Sequence, residues 1–137
     1  MKITSLTNSY IKSLCELSKP KNKKSRNEFV VDGLDFIELA YENKCLKTIL
    51  TIEYLDGFKD VEQILVTPEI IMKVSSNKSP SKVLGVCSYP EMKEVSGDRI
   101  VYLDGVQDPG NVGTIIRTAL AFSYSTVVLS EDMTLSL

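Results

Sequence analysis

Histidine is entirely absent from this 137-residue chain. With it go the imidazole general base, the Ser/His and Cys/His nucleophiles and the commonest zinc sites. Any catalysis has to rest on Arg, Lys, carboxylates, hydroxyls or the substrate itself. Cysteine is scarce: Cys15, Cys45 and Cys87 are odd in number, far apart and never in a CxxC pair. That speaks against a disulfide framework and against a thiolate metal site, and each thiol is read as a small buried side chain. No apolar run approaches the roughly 20 residues that cross a bilayer, and the opening MKITSLTNSY lacks the apolar core of a signal peptide. A cytoplasmic location is the default expectation. Repeats and low-complexity tracts are also missing.

What is present fits one ordinary globular domain, or a small domain plus part of another: 43% of residues are hydrophobic and 25% charged. The net charge of −2 hides an asymmetry, because residues 1–30 carry seven Lys and Arg against two Glu. The basic excess is local, as a nucleic-acid footprint requires. It is densest in KPKNKKSR (19–26), where five of eight residues are basic and none is acidic. A second basic stretch, KVSSNKSPSK (73–82), adds three Lys without an acid.

Alternating elements can be read along the chain. NSYIKSLCELSK places Ile11, Leu14 and Cys15 at helical spacing, with Asn8 or Ser9 as the cap. FVVDG (29–33), TILTI (48–52), QILVT (63–67) and VLGVCSYP (83–90) read as strands, with a turn at Asp56-Gly57. DFIELAYENK (35–44) reads as a helix with Phe36, Leu39 and Ala40 on its buried face, and Thr67-Pro68 as a helix start. Such alternation predicts an α/β domain. The polar stretch EMKEVSGD (91–98) reads as a boundary, followed by one β-α-β unit from RIVYLDG, PGNVGTIIRTALAFS and TVVLS. A lone unit of this kind cannot cover both faces of its strands, so it reads as the start of a larger domain.

LDGVQDPGNVGTIIRTALAF (103–122) holds the candidate chemistry. At about 100° per residue, Val112, Ile115, Ile116, Ala119 and Leu120 form a core stripe about 140° wide. Gly110, Gly113, Thr114, Arg117 and Ala121 fall opposite, so Arg117 rises from a face almost without side-chain bulk. The turn QDPGN, with Pro109 at the first helical position, leaves backbone N–H groups near which a phosphate could sit, and the guanidinium fork suits phosphate oxygens. The glycines do not spell GxGxxG and no GK[ST] follows, so generic nucleotide motifs do not apply. On these grounds alone Arg117 is either a phosphate ligand or, more commonly, an ordinary solvated residue.

The string DGVQDPGNVGTIIRTALAF as a whole resembles the first signature of the SpoU-type RNA ribose methyltransferases of the knotted SPOUT superfamily. Upstream, SLTNSYIKSLCELSK, the basic stretch, FVVDG and ILVTPEIIMKVS through VLGVCSYP are similar to the substrate-binding domain such enzymes often carry. The resemblance implies a small α/β RNA-binding, ribosomal-protein-like domain over residues 1–94. It also implies that residues 95–137 begin a knotted, Rossmann-like SPOUT domain that is incomplete here. It further implies methyl transfer from S-adenosylmethionine to a ribose 2′-hydroxyl of ribosomal or transfer RNA, by a complete enzyme expected to be a homodimer. In that frame Arg117 engages the RNA backbone and helps activate the hydroxyl, and Asn111 helps shape the catalytic site. Lys21, Lys23, Lys24 and Arg26, with Lys78 and Lys82, become the expected RNA-phosphate contacts.

There are departures from the pattern. Ser123 stands where the family usually has Gly and Asp32 where it commonly has Glu, and MTLSL does not match the family's continuation into the donor-binding knot. The expectation is therefore a chain with no S-adenosylmethionine site of its own and no activity alone. Three readings stay open: the substrate-binding half of a methyltransferase with the start of its catalytic domain, a stand-alone RNA-binding module, or a truncated product.

Overall fold

Local signals begin each described helix. In the computed structural model, which describes residues 1–17, 27–91 and 94–130, helix α1 (Ser9–Glu16) starts where Asn8 Oδ1 accepts from the Tyr10 and Ile11 N–H groups at 2.9 and 3.4 Å. Helix α2 (Leu34–Glu42) follows Gly33, whose φ of 110° turns the chain sharply out of the preceding strand. Helix α3 (Pro68–Val74) has the expected Thr67 cap and Pro68 at its first position. Helix α4 (Pro109–Ala121) repeats that device with Asp108 and Pro109.

The chain forms two compact units, Met1–Pro90 and Glu91–Leu137. In the first, β1 (Lys2–Ile3), β2 (Glu28–Asp32), β3 (Leu46–Thr51), β4 (Glu62–Val66) and β5 (Val83–Ser88) make one sheet in the order β1-β4-β3-β5-β2. β1, β4 and β3 run parallel, while β5 is antiparallel to β3 and β2 antiparallel to β5. Central strand β3 is buried on both faces: Leu50 points into a cluster with Ile11, Leu14, Ile64, Ile70, Ile71 and Leu84, and Ile49 into another with Ile37, Phe58 and Val83. Each fully buried Leu or Ile contributes on the order of 1.5–3 kcal/mol.

Which face of α2 is buried is decided by tertiary fit. The buried residues are Ile37 and Ala40, with Tyr41 packed edge-on against Phe58 at 5.2 Å. Phe36 and Leu39, expected inside, are 60% and 55% exposed. The reason lies in β5: a Cβ on Gly85 would come within 3.0 Å of Ile37, Val31 and Leu46 side-chain carbons. The missing side chain thus opens the place that Ile37 fills. The cysteines also differ from expectation. Only Cys87 is buried, while Cys15 and Cys45 are half-buried, their thiols donating to the Lys73 and Ala40 carbonyls. Burial, with Cys45 beside it, pushes the Cys87 thiol up to about 12, which leaves it unreactive.

The second unit is a β-α-β unit: β6 (Ile100–Leu103) and β7 (Thr126–Leu129) pair in parallel and α4 connects them. Its core is Leu103 and Val112, with Val101, Val106, Ile115, Val127 and Leu129 packed around them. Ile116 and Leu120, expected in the core stripe, are 42% and 76% exposed. Two strands are too narrow to cover a 140° stripe, so only the part centred on Val112 and Ala119 is buried. Among the described residues no helix is long and apolar enough to cross a membrane.

Candidate functional site

Arg117 is carried by α4, and the start of that helix is fixed at both of its neighbours. At the strand ends, the Gly105 N–H donates to Ser130 Oγ at 2.9 Å and the Ser130 N–H to the Leu103 carbonyl at 2.9 Å. One turn on, Asp108 Oδ1 accepts from the Gly110 N–H at 2.9 Å. A Cβ on Gly110 would stand 3.2 Å from that oxygen, so this glycine makes room for the cap. Of the N–H groups that the sequence places near a phosphate at this turn, that of Gly110 is already taken by the Asp108 carboxylate.

The Arg117 face is open, as read from the sequence. Arg117 is exposed, and its Nη2 donates to Thr114 Oγ1 at 3.4 Å; that hydroxyl donates in turn to the Gly110 carbonyl at 3.0 Å. The guanidinium thus lies back over the preceding turn, beside Gly113, whose added Cβ would meet nothing within 4 Å. Among the described residues it has no carboxylate partner, so most of its donor fork is available to a ligand. Asn111 is exposed on the same helix, and Arg117 bonds to Thr114 rather than to it.

The far end of α4 is locked more tightly. Ser123 and Tyr124 N–H groups donate to Leu120 and Ala119 carbonyls at 3.1 and 2.9 Å, the two bonds of a Schellman motif, with Ser123 at φ 59°. Arg99 Nη1 donates to the Phe122 carbonyl at 3.1 Å, and Ser125 Oγ lies 3.0 and 2.9 Å from the Ser96 and Arg99 carbonyls. Helix and strand ends are thereby held in register, which fixes the base from which Arg117 projects.

In the first unit, Lys21, Lys23, Lys24 and Arg26 lie outside the described residues. Lys78 and Lys82 are exposed in the loop between α3 and β5, and neither forms a salt bridge among the described residues. That loop is organised by Asp32, a residue the sequence marked only as a departure from the family's Glu. Ser75 Oγ and Asn77 Nδ2 donate to Asp32 Oδ2 at 2.6 and 3.0 Å, and the Ser81 N–H donates to Oδ1 at 2.9 Å. Burial alone raises the carboxyl pKa, but the bonds from Ser75, Ser81 and Asn77 outweigh it and hold the group below its ordinary 3.8. Among the described residues no group of His, Cys, Asp and Glu could hold a metal ion.

A concavity in the second unit, about 370 Å³, is lined by Val101, Thr114, Ile115, Thr118, Ala119, Phe122 and Tyr124. Both threonine hydroxyls donate to helix carbonyls. No charged side chain lines the space, so it does not fit the amino-acid head of a sulfonium donor such as S-adenosylmethionine.

Comparison with known proteins agrees with the geometry. Residues 8–85 match the MRM3-like substrate binding domain, and residues 98–137 match the SpoU rRNA Methylase family. The chain is 30% identical, over 94% of its length, to the 23S rRNA (guanosine(2553)-2′-O)-methyltransferase RlmP of Bacillus subtilis (strain 168), covering 54% of that protein. An rRNA methyltransferase from Sinorhizobium meliloti superposes with a TM-score of 0.79 at 26% identity, over 98% of this chain and 56% of that one. The SpoU methyltransferase AviRb from Streptomyces viridochromogenes, solved in complex with the cofactor AdoMet, gives 0.74 at 27% identity, over 92% and 54%. The chain spans about half the length of the curated relatives it matches. One match runs through most of the first unit and the other through the β-α-β unit, so the chain belongs to the family of the MRM3-like substrate binding domain, and its second unit is similar to the SpoU rRNA Methylase family.

Proposed function

We propose that this chain supplies the RNA-binding unit and the arginine-bearing arm of an RNA ribose 2′-O-methyltransferase. The observation that carries the reading is Arg117: it stands exposed on a cleared helix face, without an acidic partner among the described residues, inside a strand–turn–helix matching the family's motif. A guanidinium so placed grips a phosphodiester bidentately and orients the neighbouring ribose. Its charge also favours the ionised form of a nearby 2′-hydroxyl, a poor nucleophile while protonated. Asn111, exposed on the same helix, is assigned to shaping the space around that ribose.

Residues 1–94 are assigned to RNA binding and 95–137 to the first part of the catalytic domain. S-adenosylmethionine is the methyl donor in the complete enzyme, which acts on ribosomal or transfer RNA as a homodimer in the cytoplasm. This chain alone neither holds the donor nor methylates RNA, a reading supported by the concavity beside α4, which has no charged side chain to meet the donor's head. The same observation favours a second reading, an RNA-binding module without catalysis.

A salt series with a labelled RNA stem–loop tests the binding half of the reading. Affinity should fall steeply with salt, and replacing Lys23, Lys24 and Arg26 together with Ala should abolish it. Undiminished binding by that variant sinks the basic-patch assignment. Calorimetric titration with S-adenosylmethionine should show no stoichiometric binding, and micromolar affinity would overturn the donor-free assignment. Transfer activity in trans with a separately expressed downstream half, lost in Arg117→Ala, separates the methyltransferase reading from the module.

A further inference from the structure

The loop over residues 75–82 is short, polar and outside regular structure, yet three of its residues converge on one carboxylate that is 43 to 49 positions away in sequence. Ser75 and Asn77 hold it on one side of Lys78 and Ser81 holds it on the other. The bonded residues therefore bracket the tip that carries Lys78. Lys82 follows Ser81 directly, and its own carbonyl accepts from the Ile52 N–H at 3.3 Å. Asp32 is equally fixed: it pairs with Leu84 at the end of β2, and the next N–H, that of Gly33, donates to the Val83 carbonyl at 3.2 Å. One rigid strand end thus sets the path of the backbone from which both lysines project.

We propose that Asp32 is the positioning residue of an RNA-phosphate contact made by Lys78 and Lys82. The inference rests on the RNA-binding reading above and adds to it the group that builds the contact. Two flexible lysines on an unfastened loop would have to order backbone and side chains together on meeting RNA, and that ordering subtracts from affinity. With the backbone already held by charge-assisted bonds, only the two side chains need to order. A carboxylate beneath two ammonium groups could by itself weaken their pull on phosphate. Here its oxygens already accept three hydrogen bonds from neutral donors, so it acts on the loop backbone and leaves both ammonium groups exposed.

The test is a double-mutant cycle on the full chain, reading the dissociation constant for a labelled RNA stem–loop across a salt series. Lys78→Ala/Lys82→Ala should weaken binding and lower the slope of log affinity against log salt by about one unit per lost phosphate contact. Asp32→Asn should weaken binding about three- to tenfold and lower the slope by a similar amount, but should add nothing in the Lys78→Ala/Lys82→Ala background. Ser75→Ala/Asn77→Ala removes the same anchors from the loop side and should reproduce the Asp32→Asn behaviour, with thermal unfolding confirming a folded chain. A merely structural role would lower the melting temperature and leave the salt slope intact. Full affinity in the lysine variant overturns the phosphate contact itself. Loss in the lysine variant with unchanged slope in both Asp32→Asn and Ser75→Ala/Asn77→Ala overturns the positioning role alone.

Discussion

The five-stranded sheet carries helices on both faces, whereas the two-stranded sheet carries one helix on one face. In the first unit the interior side chains of β3 and β5 alternate between two clusters, one beneath α1 and α3 and one beneath α2. In the second, Leu103 meets Val112 under α4, while Ile100 and Tyr102 on the other face of β6 are exposed, as are Ile116, Leu120 and Phe122 on and after the helix. Parallel strands are normally buried on both sides. The contrast teaches that the first unit is stabilised by burial in depth. The second depends heavily on hydrogen-bonded latches at its ends, and its outward apolar residues make a surface ready for further protein.

The largest expected effect tests burial in the first unit. Leu50→Ala removes a side chain with no exposure from the strand that both clusters share, and should cost about 2–5 kcal/mol. Chemical denaturation followed by hydrogen exchange should place that loss in β1–β5 and leave the β6 and β7 amides unchanged. Equal loss of protection in both units would mean that they unfold as one, and the contrast would fail.

The next tests the latch of the second unit. Gly97 has φ 92°, and a Cβ there would lie 2.1 Å from Ser125 Oγ, the hydroxyl that joins the start of β7 to residues 96–99. Gly97→Ala should cost about 2 kcal/mol, confined to the second unit, through backbone strain and displacement of Ser125. Wild-type exchange rates in β6 and β7 would show that the latch contributes little.

A smaller effect concerns a polar anchor within the well-buried unit. Because the Asp32 pKa is depressed on folding, its stabilisation is complete above the ordinary 3.8 and is lost as pH falls through the lower folded value. Asp32→Asn should therefore be less stable than wild type by about 1 kcal/mol at neutral pH, discounted for the carboxylate's partial exposure. The two should begin to converge as pH falls below 3.8 and meet below the lower folded value. Parallel stability curves through the acid range would show that hydrogen bonds to the ionised group are not what holds the loop.

Much of the fold could be read because its signals are local. Asn8 and Thr67-Pro68 announce their helices within a single turn, and the apolar runs at 48–52, 63–67 and 83–90 coincide, to within two residues at each end, with the strands Leu46–Thr51, Glu62–Val66 and Val83–Ser88. Asp108-Pro109 is the same signal: Pro109 marks the first helical position in the sequence, while the capping of the Gly110 N–H by Asp108 is seen only in the structure. Long-range choices were not legible. Ile37 is inside rather than Phe36 because Gly85, on a distant strand, leaves room for it. Asp32 could not be assigned a purpose from sequence, since its partners lie more than forty residues away. Of the candidate site, the exposure of Arg117 followed from helical period, and its Thr114 partner did not.

The smallest effect concerns the end of the Arg117 helix. Ser123 occupies the position after the helix cap at φ 59°, where a Cβ crowds the backbone. Both Schellman bonds are formed there, so the chain tolerates the strain rather than avoiding it. Ser123→Gly should relieve it and raise the stability of the second unit by about 0.5–1 kcal/mol, with no change in the first. Slower exchange of the Ser125 and Thr126 amides is the readout. If the variant is instead less stable, the flexibility glycine adds to the unfolded chain outweighs the strain removed, and Ser123 strengthens the weaker unit.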